Sequence, residues 1–201
     1  MTIINFRKFY GGVLPQLNTG LGLYEVAPLN YDKLVRRLGD EIIGGTGSAV
    51  NELDSLAKIM ETIKPTPIDI IEIGTFMGIG TALLASYANH TVATFDIQYR
   101  NSHNVWEELG LLEKINCFTG DQPLIDELIQ LLRNQLFNFN FAFIDGMHEY
   151  DRVKHDFANV CFCGRVLFHD AHIPEIKDFI LNEIGGIILE DEIFGYWERK
   201  K

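Results

Sequence analysis

Residues Ile68 to Leu84 read IDIIEIGTFMGIGTALL, and this stretch decides the fold. An apolar strand ends on an acidic residue, Glu72, enters a turn containing Gly74, Gly78 and Gly80, and continues as an apolar helical pattern from about Thr81. A strand-to-helix turn this tight needs positive φ and no Cβ, and it lets a ligand approach the main chain closely. The first amides of the following helix point at that ligand and favour an anionic group on it. The spacing is E-x-G-x-x-x-G-x-G. A dinucleotide fingerprint would read G-x-G-x-x-G, and a phosphate-binding loop would end in G-K-[ST]. Here Thr75 to Met77 put bulk where a pyrophosphate would lie, and no lysine follows Gly80. The turn therefore predicts a nucleotide cofactor that is not held through a diphosphate.

Working outward, strand-like runs at 68–73, 91–95, 115–119, 139–144 and 165–168 alternate with helical patterns. Such alternation predicts an α/β fold with a doubly wound, mostly parallel sheet. Tyr150, Val153, Phe157 and Val160 share one helical face, and Ile176, Phe179, Ile180 and Ile184 repeat the pattern between Pro174 and Gly185. The segment after Gly186, IILEDEIFGYW, has the composition of an antiparallel edge pair. Residues 1 to 67 read as a helical extension and 68 to 201 as the cofactor-binding catalytic domain. In the extension, Asn30 precedes a helix with Leu34, Val35 and Leu38. Gly44 to Gly47 form a link, and Val50, Leu53, Ala57, Met60 and Ile63 mark a second helix that Pro65 ends. This extension either covers the cofactor, forms a subunit interface, or does both.

Composition narrows the function. The chain has 201 residues, 47% of them hydrophobic and 22% charged, which suits one soluble α/β core. There is no run of 18 apolar residues and no signal-peptide pattern, so a cytoplasmic location is expected. A net charge of −11 opposes nucleic acid and anionic membranes as partners. Cys117, Cys161 and Cys163 form neither a disulfide framework nor a zinc site and read as buried thiols.

A doubly wound sheet binds ligands at the carboxyl ends of its strands. Glu72, Asp96, Asp121, Asp145 and Asp170 all fall at such ends. Asp96 stands 24 positions after Glu72, close to the spacing at which nucleotide-binding units place the acid that accepts both ribose hydroxyls, the other reading being an ordinary strand-end aspartate. Trp106, with Tyr99 and His103 near it, either stacks on the cofactor or packs in the core.

Glu72-Ile73-Gly74 with Gly78 and Gly80 resembles the first motif of class I S-adenosylmethionine-dependent methyltransferases. The runs FIDGMHEY at 143–150 and GRVLFHD at 164–170 are similar to the fourth- and fifth-strand segments of a small-molecule O-methyltransferase-like subgroup. The resemblance spans Glu72 to Asp170 and implies a Rossmann-like sheet of the seven-stranded type. It also implies S-adenosylmethionine as cofactor, a small-molecule acceptor and a possible homodimer. On this resemblance Glu72 orients the ammonium of the cofactor, and the amides from Gly74 through Thr75 to Gly78 receive its carboxylate. Asp121, or its neighbour Gln122, contacts the adenine, although Asp121 before Pro123 is equally a helix cap.

Asp145 and His148 are the expected catalytic residues, with His148 taking the proton of a substrate hydroxyl. Asp145 and Asp170, on neighbouring strands, are candidate ligands for Mg²⁺ or another divalent ion. Two departures from the resembling family bear on this: Met147 stands where relatives carry a second acid, and Ala171 where metal-dependent relatives carry asparagine. His169 and His172 could add nitrogen ligands, which would favour a transition metal, or simply line the pocket. The leading expectation is methyl transfer to a small-molecule oxygen. The alternatives are a metal-dependent hydroxylase-like enzyme on the same fold and a non-catalytic cofactor-binding or scaffold protein.

Overall fold

In register across the sheet, Glu72 lies between Thr94 and Phe143, and this row places the glycine turn at the sheet's centre. The structure, a computed structural model, describes residues 47–63, 68–99, 102–134, 138–190 and 192–200. Within them the elements run α1 (Gly47–Ile63), β1 (Ile70–Ile73), α2 (Ile79–Tyr87), β2 (Val92–Asp96), α3 (His103–Glu108), β3 (Ile115–Thr119), α4 (Gln122–Asn134) and β4 (Phe141–Ile144). They continue with α5 (Tyr150–Val160), β5 (Arg165–Phe168), α6 (Pro174–Asp178), β6 (Ile187–Ile188) and β7 (Gly195–Glu198). The helix expected through Ile184 is α-helical only to Asp178 and then widens into a π-turn over Phe179–Glu183. The helix expected near Leu34 and the link from Gly44 lie outside the described residues.

The strand order is β3-β2-β1-β4-β5-β7-β6, parallel from β3 to β5, with β7 antiparallel to both β5 and β6. The expected doubly wound sheet and antiparallel edge pair are therefore present. Order reverses between β1 and β4, and the crevice above such a switch point is where this architecture binds ligands.

Alternation along each strand sends residues to two cores. Ile70, Val92, Phe141 and Phe143 face α1, α2 and α3, whereas Ile71, Ala93, Phe95, Ala142 and Ile144 face α4, α5 and α6. Both faces are covered, so the strands are near-continuous apolar runs, and each large side chain buried contributes about 1.5–3 kcal/mol. Polar positions on the first face are exceptions, and Glu72 and Thr94 are among them. Lys114, itself buried, donates to the Ala88 carbonyl at 2.8 Å and so caps the end of α2 from the start of β3. Helix α1 lays Leu53, Leu56 and Met60 into the first core against α2. The thiols differ from expectation: only Cys163 is fully buried, while Cys117 and Cys161 keep partial exposure.

Candidate active site

The glycine turn is shaped by its backbone. Gly74 N donates to Phe95 O at 2.8 Å, so the chain leaves β1 still tied to β2 and then turns with Gly74 at φ 102°. A Cβ on Gly74 would lie 2.1 Å from the carbonyl oxygen of Asp145, which brings the loops after β1 and β4 into backbone contact. Gly78, at φ 77°, caps α2, and the indole N–H of Trp106 donates to its carbonyl at 2.8 Å. Trp106 is thus buried beneath the turn, the core-packing role of the two its position left open.

Asp96 Oδ2 accepts the amide of Phe76 at 2.7 Å, and Oδ1 accepts that of Gln98 at 2.8 Å. The carboxylate expected on the ribose therefore stands beside the glycine turn and holds it. Gly78 N is taken by Thr75 O at 2.8 Å. Among the described residues, the amides of Thr75 and Met77 have no acceptor within this turn. Asp121 Oδ1 accepts from Leu124 N at 3.2 Å, which is the helix-capping role, and Gln122 is bonded to Arg152 and Asp126.

Glu72 is buried at 1% exposure, and its Oε2 accepts from both Thr81 and Thr94 at 2.5 Å. Thr94 is also 2.6 Å from Thr75. Burial, which outweighs these hydroxyls and is aided by the charges of Asp145 and Asp96, pushes the Glu72 carboxyl up to about 8. Above it lies a cavity of about 200 Å³ bounded by the glycine turn, Phe143, Asp145, His169 and Phe194. Helix α1 closes one side with Glu52, Leu53 and Leu56.

Asp145 and His169 pair in the wall of this cavity, and a second acid–imidazole pair, His148 with Asp170, stands beside them. His148 Nδ1 lies 2.9 Å from Asp170 Oδ2, and His169 Nδ1 lies 2.8 Å from Asp145 Oδ1, with the ring centroids 5.8 Å apart. The His169 approach is a charge contact without the alignment of a hydrogen bond, and this buried nitrogen is left unsatisfied. His169 Nε2 is 3.7 Å from Glu52 Oε2, and His172 Nδ1 is 3.7 Å from Asp170 Oδ1. The hydrogen bond to Asp170 outweighs burial and raises His148, and the same contact holds Asp170 below its usual range. Burial pulls His169 down, but Asp145, Asp170 and Glu52 together carry it up to about 9. Asp170 adopts φ 52°, a strained setting of the kind that gathers at functional sites.

Ligand atoms of Asp145, His148 and His169 all lie within 4.8 Å of one another. Of the two acids expected on a metal, Asp145 is in this group and Asp170 stands beside it, turned to His148.

A family model described as a methyltransferase domain matches residues 71–171. The chain belongs to this methyltransferase family. Solved structures share the fold at low identity. An O-methyltransferase from Bacillus cereus in complex with SAH is 14% identical over 81% of this chain and 94% of its own, with a TM-score of 0.56. A calicheamicin methyltransferase is 13% identical over 87% and 88%, at 0.60. The O-methyltransferase TomG from Streptomyces achromogenes, involved in tomaymycin synthesis and in complex with SAM, is 16% identical over 88% and 90%, at 0.55. No curated protein matches the chain.

The stretch matched to the methyltransferase family contains the glycine turn, Asp96, Asp145, His148 and Asp170. Glu52 and Phe194 lie outside it, and nothing in their sequence surroundings marks them. The threonines around Glu72 were legible in principle. Thr94 falls on the same strand parity as Glu72 one strand over, where an apolar residue would otherwise be expected.

Proposed function

We propose that this methyltransferase domain transfers a methyl group from S-adenosylmethionine to a hydroxyl oxygen of a small molecule. The observation that carries the reading is a cavity walled by the glycine turn, Glu72, Asp145 and His169, with Asp96 bonded to that turn and the His148–Asp170 pair beside His169. When bound, S-adenosylmethionine supplies an already activated methyl group on a sulfonium, so the chain's own residues have to position, exclude water and move a proton. The structural neighbours in complex with SAH or SAM support the choice of cofactor. A buried acid without a cation beside it, in the wall of a cavity of about 200 Å³, also suits that molecule.

In this reading Glu72 meets the ammonium, the Thr75 and Met77 amides the carboxylate, and Asp96 the ribose hydroxyls. Gly80 keeps the ground beside Glu72 open, and Asp121 closes the adenine end. His148 Nδ1 is committed to Asp170, which leaves Nε2 as the atom that takes the acceptor's proton. Asp145 and His169 form a fixed charge pair beside it. The net charge of −11 supports a small molecule over nucleic acid as acceptor. Among the described residues no helix is long and apolar enough to cross a membrane. Calorimetry with S-adenosylmethionine followed by a methyl-transfer screen over phenols, sugars and amines tests the reading; absence of cofactor binding would end it.

A second reading adds a divalent ion at Asp145, His148 and His169. The close grouping of Asp145, His148 and His169 ligand atoms favours it, and two imidazoles with one carboxylate suit a transition ion better than Mg²⁺. An ion there would lower the pKa of an acceptor hydroxyl. Titration with Co²⁺, read by visible absorption in the wild type and in His169→Ala, tests it without turnover.

A further inference from the structure

Glu72 is an acid that the fold has buried without a counter-charge. Among the described residues it makes no ion pair, and its two hydroxyl donors both serve one oxygen, Oε2. Because Thr94 donates to Glu72, Thr75 must donate to Thr94, so the chain of hydroxyls runs toward the carboxyl group. Oε2 is saturated by these bonds. A proton on the carboxyl group therefore sits on Oε1, the oxygen 3.5 Å from where a Gly80 Cβ would be, on the side of the glycine turn. Glu72 is also part of the cavity wall.

The charged surroundings reinforce the neutral form. Asp96 at the end of β2 and Asp145 at the end of β4 both act on Glu72 with negative charge, and Cys117 on β3 is close enough to feel it. Glu52 from α1 and His169 after β5 line the same cavity, and α2 presents only the hydroxyl of Thr81. A buried carboxylate with hydroxyl donors but no counter-charge is costly, and such a group takes up a proton instead.

We infer that filling this cavity with an amino-acid-bearing ligand expels a proton from Glu72, so that cofactor binding and proton release are one event. The inference rests on the methyl-transfer reading above and specifies how its cofactor site is gated. The balance is simple. The O–H bond at Oε1 breaks, its proton leaves to the buffer, and the carboxylate formed pairs with the incoming ammonium. A neutral Glu72 holds the empty cavity stable, and a cation is what converts it into a binding group. A ligand lacking the ammonium gains no such pair and releases no proton from Glu72.

The test is calorimetry of S-adenosylhomocysteine binding to the full chain at pH 7 in buffers of differing ionisation enthalpy, such as phosphate and Tris. The observed enthalpy is expected to vary with buffer at a slope near one proton released. Affinity should rise up to tenfold per pH unit from pH 6 toward 8 and level off above it, in line with a free carboxyl pushed up to about 8. Glu72→Gln, checked for folding by circular dichroism, should bind more weakly and lose that part of the slope, which separates Glu72 from the histidines at the rim. Thr81→Val, which removes one donor and keeps the acid, should retain proton release. Tight binding with no buffer dependence in the wild type, or an unchanged slope in a folded Glu72→Gln, overturns the inference and leaves the methyl-transfer reading standing. No binding of S-adenosylhomocysteine at any pH sinks that reading and the inference with it.

Discussion

His169 Nδ1 lies 2.8 Å from Asp145 Oδ1, across the gap between two adjacent parallel strands. The contact is enforced by the ladder, since His169 N donates to Ile144 O at 3.0 Å one step beyond the end of β5. Asp145, Asp170 and Glu52 outweigh burial and carry the His169 imidazole up to about 9, which favours its charged form at neutral pH. A cation is a poor base. His148, raised but 40% exposed and free to exchange protons with solvent, is the imidazole of the two suited to accept one.

Replacing His148 with alanine is expected to lower kcat by about 10²–10⁴-fold while leaving S-adenosylhomocysteine affinity within a few-fold. Because His148 is raised above its ordinary value, its basic form appears only as pH climbs through that raised pKa. The rate should therefore rise with pH across that limb. Asp170→Asn removes the main cause and should move the limb to lower pH, which stopped-time assays across pH 5.5 to 9 would reveal.

Asp96 carries two charge-assisted hydrogen bonds to the main chain and is assigned the ribose. Asp96→Ala is expected to weaken S-adenosylhomocysteine binding at least tenfold, since a hydrogen bond to a charged group is worth about 1.5–3 kcal/mol. Calorimetry decides this, and unchanged affinity would remove Asp96 from the site.

Two glycines of one turn should respond oppositely. Gly74→Ala places a Cβ 2.1 Å from Asp145 O at φ 102°, and the combined backbone strain and overlap should cost about 2–5 kcal/mol. Gly80→Ala meets only Glu72 Oε1 at 3.5 Å inside α2, and should stabilise the fold by about 0.5–1 kcal/mol. Urea denaturation of both variants provides the comparison.

Asp156 is buried at 2% exposure with Oδ1 unsatisfied, and burial pushes it up to about 6 despite Arg152 and His155. Its folded pKa exceeds the unfolded value near 3.9, so its contribution is fully present below that value and is lost as pH rises through 6. Asp156→Asn should remove this loss and raise stability at pH 7 by up to about 3 kcal/mol relative to wild type. At pH 4 the two proteins should unfold at nearly the same denaturant concentration.

Much of the molecule was readable from residues that are neighbours in the chain. The strand runs, the glycine spacing and the acids at strand ends located the sheet, the turn and the rim. Each of these rests on local rules: side-chain alternation, the φ that only glycine adopts easily, and the direction in which parallel strands end. Trp106 and Asp121 show the limit. Both were placed correctly in the chain with two roles open, and only the bonds to Gly78 and Leu124 displayed the structural ones.

The sequence by itself determined an α/β doubly wound sheet and the position of its glycine turn, because periodicity and backbone conformation are set within a few residues, and its motifs carried the resemblance to methyltransferases. Tertiary structure alone decided which histidine pairs with which aspartate, that Glu52 reaches in from α1, and that Glu72 lies buried among threonines without a counter-charge among the described residues. Those outcomes depend on distances between residues far apart in the chain and on how completely packing shuts out water, and a linear pattern encodes neither directly.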